Sequence, residues 1–319
     1  MTPIARWLLF LMLACAAGCR GESSHDHGGK PRKLQVAQTY QGKGPLGVVC
    51  TIGMVADLVR NVGGPLVVVE QIMGSDVDPH LYKATPADIA KLSDADAIFY
   101  SGLHLEGKMA DLLERHGRKK ATFAVAEFLD PAELILAEQK HPDPHVWFDV
   151  SLWRKAAGVV GEALCLYDPA NAATYQANAD KLQQTLADLH EETKAKIKSI
   201  PEERRVLVTS HDAFRYFGRA YDIQVKGIQG ISTEAEASVR DIQTLVDFIA
   251  LKKVKAVFVE SSVSQRNMEA LREGCTAKGH AVALGGELFS DAMGKAGTAE
   301  GTYVGMIRHN VDTIVQALK

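Results

Sequence analysis

The sequence predicts an α/β protein in which two (β/α) lobes, each with a parallel four-stranded sheet, are joined by one long helix. Three observations predict this fold class. Short β-branched runs alternate with amphipathic helical segments in both halves of the chain. The strand-like runs are continuously apolar, which is typical of parallel sheets that helices cover on both faces. One unusually long helical segment, at residues 168–200, separates the two halves.

Residues 1–18 predict a signal peptide rather than part of the fold. Arg6 supplies the positive start, and the apolar run from Trp7 to Ala14 is far shorter than the roughly 20 residues that a membrane-spanning helix needs. The small residues Ala-Ala-Gly directly precede Cys19, an order that resembles a bacterial lipobox. We therefore predict that Cys19 carries lipid. The alternative is an ordinary signal peptide, in which Cys19 has no such role.

Residues 19–45 are rich in Gly, Lys, Gln and Ser and lack apolar periodicity, so they predict a flexible tether between the lipid and the folded body. This segment contains His25-Asp26-His27, which could bind metal ions weakly or be plain solvated linker.

Composition narrows the function classes. The formal net charge is -3, so basic residues are not in excess over acidic ones. This argues against a nucleic-acid partner. The folded body contains an odd number of cysteines, so a complete disulfide framework is excluded. These cysteines are Cys50, Cys165 and Cys275.

The N-terminal lobe is predicted at residues 46–167. Its strands are expected at residues 46–52, 66–72, 95–100 and 122–125, and its helices at residues 54–62, 86–92, 105–116 and 153–166. Thr85 is a favourable N-cap, and Pro86 occupies the first helical position, where a missing N–H is tolerated.

Residues 168–200 predict the linking helix. Asp168 is a good N-cap, apolar side chains recur behind it at helical spacing, and Pro201 ends the run. A helix over residues 169–199 would be roughly 46 Å long at about 1.5 Å per residue, longer than a small domain. We interpret it as a rigid connection between two halves of similar size.

The C-terminal lobe is predicted at residues 201–319. Its strands are expected at residues 205–209, 224–226, 256–260 and 281–284, and its helices at residues 213–220, 239–251, 265–278 and 302–318. Parallel sheets bind their ligands beyond the carboxyl ends of the strands, so the functional site is expected in the crevice between the lobes.

Three histidines and one aspartate follow strands or lie in loops that return to them: His80, His145, His211 and Asp291. The first two histidines each end an Asp-Pro-His tripeptide, in which proline stiffens the backbone. Each motif is weak by itself, since a lone Asp-Pro-His is typical of a turn and Asp291 could be a helix N-cap. Together they offer two ligands from each half, and three imidazoles with one carboxylate suit a borderline divalent cation.

Four motifs carry a family resemblance: Asp78-Pro79-His80, Asp143-Pro144-His145-Val146-Trp147, the segment from Ser210 to Phe217, and the segment from Gly285 to Gly294. The chain resembles the metal-binding receptors of ABC importers, the cluster A-I or family 9 solute-binding proteins, and among these the TroA type. The resemblance extends from about Leu46 to the C-terminus. It implies two lobes joined by one long helix, with His80, His145, His211 and Asp291 as the metal ligands.

The resemblance also implies a protein that captures a divalent transition metal outside the cytoplasmic membrane and delivers it to an ABC permease and its ATPase. We expect it in the cell envelope, facing the periplasm, anchored to the membrane through Cys19 and monomeric. Three imidazoles favour Zn²⁺. Mn²⁺ is the alternative. Manganese-specific relatives carry glutamate in place of His211, which argues against Mn²⁺. However, this chain also lacks the long His- and acid-rich loop that dedicated zinc receptors carry.

Two other functions compete with metal transport. A metal-dependent hydrolase usually keeps three protein ligands and a water, whereas four protein ligands would fill a tetrahedral site. The sequence also lacks a His-Glu-x-x-His motif that would supply a general base, so we expect no enzymatic activity. A surface adhesin lipoprotein is compatible with the same metal site.

Overall fold

The computed structural model describes residues 32–137 and 141–319. The predicted signal peptide, Cys19 and His25-Asp26-His27 lie outside the described residues. Within these two ranges, no helix is both long and apolar enough to span a membrane.

The N-terminal half contains one parallel four-stranded sheet. Its strands are β1 (Leu46–Cys50), β2 (Val67–Gln71), β3 (Ala97–Tyr100) and β4 (Ala121–Ala124). Its helices are α1 (Gly53–Gly63), α2 (Pro86–Asp94), α3 (Ala110–Gly117) and α4 (Val150–Tyr167). The strand order is β2-β1-β3-β4, and all three pairings are parallel. The predicted sheet of this half is therefore confirmed.

Helix α3 begins at Ala110, later than the predicted start at residue 105. A left-handed turn precedes it, with φ of 84°, 52° and 66° at residues 102–104. The buried carboxylate of Glu106 stabilises this turn by accepting the backbone N–H of Ser101 at 2.7 Å. The prediction failed here because residues other than glycine rarely adopt such a conformation.

The C-terminal half also contains four parallel strands, arranged as two hydrogen-bonded pairs. The strands are β5 (Val206–His211), β6 (Gln224–Gln229), β7 (Ala256–Glu260) and β8 (Ala283–Leu288). The helices are α6 (Arg215–Tyr221), α7 (Val239–Lys252), α8 (Arg266–Ala277) and α9 (Tyr303–Leu318). Strand β5 pairs with β6 and β7 pairs with β8, while β5 and β7 lie side by side without forming one continuous sheet. At that junction the backbone N–H of His211 donates to the side chain of Glu260 instead of to a backbone carbonyl.

The long helix α5 spans Ala172–Lys198 and follows a 3-10 turn at Pro169–Asn171. Its 27 residues correspond to about 40 Å, less than predicted because the first turn is 3-10 rather than α-helical. One face is buried along the whole length, through Tyr175, Ala179, Leu182, Leu186, Leu189, Thr193 and Ile197. This helix contacts α1 and α4 in the first half and α6 and α9 in the second half.

A continuous apolar core extends across the two halves. It includes Trp147 and Trp153 from the first half together with Phe258, Met293 and Tyr303 from the second. A smaller buried cluster lies around α7 and α8. Large movements between the halves would expose these apolar side chains, so the interface opposes wide opening.

Candidate metal centre

The structure brings all four predicted site residues together between the two halves. Their ligand atoms lie within 4.8 Å of one another, and all four side chains are buried. His211 is the last residue of β5, whereas the other three lie in loops. The site residues are His80, His145, His211 and Asp291.

The separations between the ligand atoms match those around a small cation. Nε2 of His145 lies 3.3 Å from Nε2 of His80 and 3.4 Å from Nε2 of His211. The carboxylate oxygens of Asp291 lie 3.2 to 3.5 Å from the three Nε2 atoms. Ligands placed about 2.0–2.1 Å from a tetrahedral ion are roughly 3.3–3.4 Å apart. The spacing therefore suits an ion of the size of zinc.

Asp291 shows that the site fits a cation. Both of its carboxylate oxygens are buried, and neither has a hydrogen-bond partner among the described residues. The carboxylate faces the three imidazole Nε2 atoms at 3.2 to 3.5 Å, so its buried charge is compensated only when neighbouring rings carry protons or a cation lies among them. A divalent cation between the four side chains would supply the missing interaction.

His145 is held in place by the aspartate of its own tripeptide. Oδ1 of Asp143 accepts the backbone N–H of His145 at 3.0 Å and Nδ1–H of its ring at 2.8 Å. The ring therefore presents Nε2 to the site, as carboxylate-supported metal ligands do. In the other tripeptide, Asp78 accepts the backbone N–H of His80 at 2.9 Å but makes no bond to the His80 ring.

His211 has an equivalent support that the sequence did not reveal. Nδ1–H of His211 donates to Oε2 of Glu260, and its backbone N–H donates to Oε1 at 2.8 Å. Glu260 is buried and ends the neighbouring strand β7. Glu260 is the last residue of the strand predicted at residues 256–260, but its role could not be predicted because it depends on β5 lying beside β7. The sequence feature that could have indicated this support is an acidic residue at the end of a predicted strand.

The loop that carries Asp291 is anchored to the first half. Nε1–H of Trp147 donates to the backbone oxygen of Ser290 at 3.1 Å. The hydroxyl of Tyr303 in turn donates to the backbone oxygen of Trp147 at 2.6 Å. Because Trp147 lies two residues after His145, these bonds fix the candidate ligands of both halves relative to one another.

Burial and charge give the histidines opposite protonation preferences when no metal is bound. Burial lowers the pKa of His80 to about 4. Burial also disfavours charged His145, but the carboxylates of Asp291 and Asp143 outweigh this effect and raise its pKa to about 9. In the same way, Glu260 and Asp291 raise the pKa of His211 well above its ordinary value in spite of burial. A cation that bound through these rings would therefore have to displace protons from His145 and His211.

A comparison with protein families identifies the group to which this site belongs. The model of the ZnuA family, described as the periplasmic component A of a zinc-uptake complex, matches residues 48–317. The chain belongs to this family. The predicted resemblance to metal-binding solute-binding proteins of ABC transporters is thereby confirmed. Because the family consists of transport components, the protein is not an enzyme, and the hydrolase alternative is wrong.

Individual relatives agree with the family assignment. The chain is 50% identical to the zinc-binding protein TroA of Treponema pallidum (strain Nichols) over 271 residues, which are 85% of this chain and 88% of TroA. It is 49% identical to the manganese-binding lipoprotein MntA of Bacillus subtilis (strain 168) over 275 residues, which are 86% of this chain and 90% of MntA.

The fold is also similar to a solved structure. The periplasmic zinc-binding protein TroA from Treponema pallidum matches with a TM-score of 0.85 at 49% identity, over 86% of this chain and 99% of that chain. The predicted α/β fold with parallel sheets and a long helix between two lobes is confirmed.

Proposed function

We propose that the protein captures one divalent transition-metal ion between its two halves and delivers it to the permease of an ABC importer. The proposed ligands are His80, His145, His211 and Asp291. The observation that carries the proposal is the convergence of three imidazole nitrogens on a buried carboxylate that lacks other partners. Such a cluster is unfavourable for an empty core and favourable around a cation, so ligand binding explains it better than folding.

Zinc is the favoured cargo and manganese is the alternative. Three imidazole nitrogens favour Zn²⁺ by ligand type and by the Irving–Williams order. The relatives include both a protein named for zinc, TroA, and one named for manganese, MntA. Since most mixed nitrogen and oxygen sites bind Zn²⁺ more tightly than Mn²⁺, affinity in vitro does not identify the transported ion. Measurement of metal uptake by cells identifies the transported ion.

We further propose an extracytoplasmic location with a lipid anchor at Cys19, after removal of residues 1–18. Family membership and relatives named as lipoproteins support this location. Residues 19–45 would then serve as the tether of a monomeric body. That body comprises the lobes at residues 46–167 and 201–319 and the linking helix at residues 168–200.

Metal accumulation in cells tests the proposal. A strain without the gene should accumulate less of the transported metal, and the wild-type gene should restore it. The His211→Ala variant should fail to restore accumulation although it is exported normally. Zinc and manganese are measured in the same cells by elemental analysis, and the metal whose content falls is the cargo. Full restoration by His211→Ala would contradict the proposed function.

A further inference from the structure

One loop of the second half crosses to the first half beside the metal site. It connects β6 to α7 and comprises residues 230–238. Within residues 230–239, all of which the structure describes, Thr233 alone is buried. A single buried hydroxyl in an otherwise accessible loop indicates a specific partner for that side chain.

The partner of Thr233 is the aspartate that positions His80. Oγ1–H of Thr233 donates to Oδ2 of Asp78 at 2.6 Å, while Oδ1 of Asp78 accepts the backbone N–H of His80 at 2.9 Å. Hydrogen bonds from a hydroxyl to a carboxylate at this distance are among the stronger ones in proteins. One carboxylate therefore links the loop of the second half to the backbone of a proposed ligand in the first half.

The base of the same loop is tied to the other side of the site. Gln229, which ends β6, is the register partner of His211 in β5. The backbone N–H of Asp212 donates to the backbone oxygen of Gly230 at 3.3 Å, and the side chain of Gln229 donates to the oxygen of Ala235 at 3.2 Å. The loop therefore begins beside His211, one proposed ligand. It reaches the carboxylate of Asp78, which positions His80, another proposed ligand.

A second contact across the same gap is weaker. Nζ of Lys108 lies 2.8 Å from Oε1 of Glu234, but these side chains are 39% and 46% exposed. Ion pairs that are this exposed contribute little, because water and salt screen them. Of these two contacts, the hydrogen bond from Thr233 to Asp78 is therefore the stronger.

We propose that Thr233 is a positioning residue that controls metal release. Through Asp78, its hydroxyl keeps residues 230–238 closed beside the site and holds the backbone of His80 in its binding position. Loss of this bond frees the loop and His80 together, so the metal leaves faster. This inference rests on the proposed function, because it requires that His80 binds the ion.

The release rate of zinc tests this role. Zinc-loaded protein is mixed with an excess of a chromogenic chelator, and dissociation is followed by stopped flow. Thr233→Val keeps the shape but removes the hydroxyl, and should release zinc about tenfold faster than wild type. Thr233→Ser keeps the hydroxyl and should remain within about twofold of wild type.

Two further variants serve as controls. The hydroxyl of Thr244 bonds only to the oxygen of Arg240 in its own helix, so Thr244→Val should release zinc at the wild-type rate. Glu234→Gln removes the exposed ion pair and should change the rate by less than about twofold. Circular dichroism melting of each metal-free variant verifies that it is folded.

Three results would overturn the role of Thr233: wild-type release from Thr233→Val, equally fast release from Thr233→Val and Thr233→Ser, or faster release from Glu234→Gln than from Thr233→Val. A wild-type protein that cannot be loaded with zinc or manganese would overturn the proposed function instead. The two failures are therefore distinguishable.

Discussion

The three histidines of the site are supported in different ways. His145 and His211 each donate Nδ1–H to a buried carboxylate, that of Asp143 or Glu260. No described residue hydrogen-bonds to Nδ1 of His80, which is held only through its backbone. We call His145 and His211 the supported histidines. The difference divides the site into a part that is rigid without metal and a part whose position depends on a contact between the halves.

Removal of whole side chains should show this division most strongly. Both His211→Ala and His80→Ala remove a proposed ligand, so each should weaken metal binding by more than about 100-fold. Only His211→Ala also removes the ring that bonds to the buried Glu260, so it should lower the free energy of unfolding of the metal-free protein more than His80→Ala does, by about 3–5 kcal/mol. Competition with a chelator measures the affinity, and urea unfolding measures the stability.

His309→Ala is the matched control for both measurements, because His309 lies outside the site and bonds to the backbone oxygen of Glu287. It should leave metal affinity unchanged. Equal loss of stability from His80→Ala and His211→Ala would remove the distinction between the two kinds of histidine.

Substitution of a supporting carboxylate should lower metal affinity less than removal of a histidine does. Glu260→Gln keeps the size of the side chain but weakens the bond to His211, and we expect a 10- to 100-fold loss of zinc affinity, about the cost of losing such a support elsewhere. Glu269→Gln, at an exposed position of α8, is the control. Isothermal titration in the presence of a competing chelator measures both. An affinity of Glu260→Gln within about twofold of wild type would mean that the carboxylate does not support the ligand.

The supported histidines should extend the pH dependence of binding to alkaline values. His145 has a pKa of about 9 in the metal-free site, so its ring is charged at neutral pH and must lose a proton to bind. Affinity should therefore rise with pH up to about 9, by about tenfold per unit for each displaced proton. His80, with a pKa of about 4, contributes nothing to this rise. Competition titrations from pH 6 to 10 measure it, and a curve that is flat above pH 7 would contradict the raised pKa.

The smallest expected effect concerns the overall shape. Since the apolar core is continuous across the halves and α5 contacts both, metal release should change the radius of gyration by less than about 1 Å. Small-angle scattering of metal-free and zinc-loaded protein measures this change. A large domain rotation would mean that the halves, rather than single loops and side chains, respond to the metal.

Local patterns explain why much of the fold and the site could be predicted from sequence. The alternation of strands and helices, the long helix and the Asp-Pro-His tripeptides all lie within short stretches of chain. The contributions of Glu260 and Thr233 could not be predicted in this way. Their partners lie 49 and 155 residues away, and only the packing of β5 against β7 and of the halves against each other brings them together.

X-ray absorption spectroscopy of the zinc-loaded protein identifies the atoms that bind the ion and so tests the proposed ligand set. We expect three imidazole nitrogens and carboxylate oxygen at about 2.0–2.2 Å from the zinc ion, with no sulfur. The multiple-scattering signal of imidazole should correspond to three rings, and to two in His80→Ala. A wild-type spectrum with fewer than three imidazoles, or with a sulfur ligand, would contradict the proposed site.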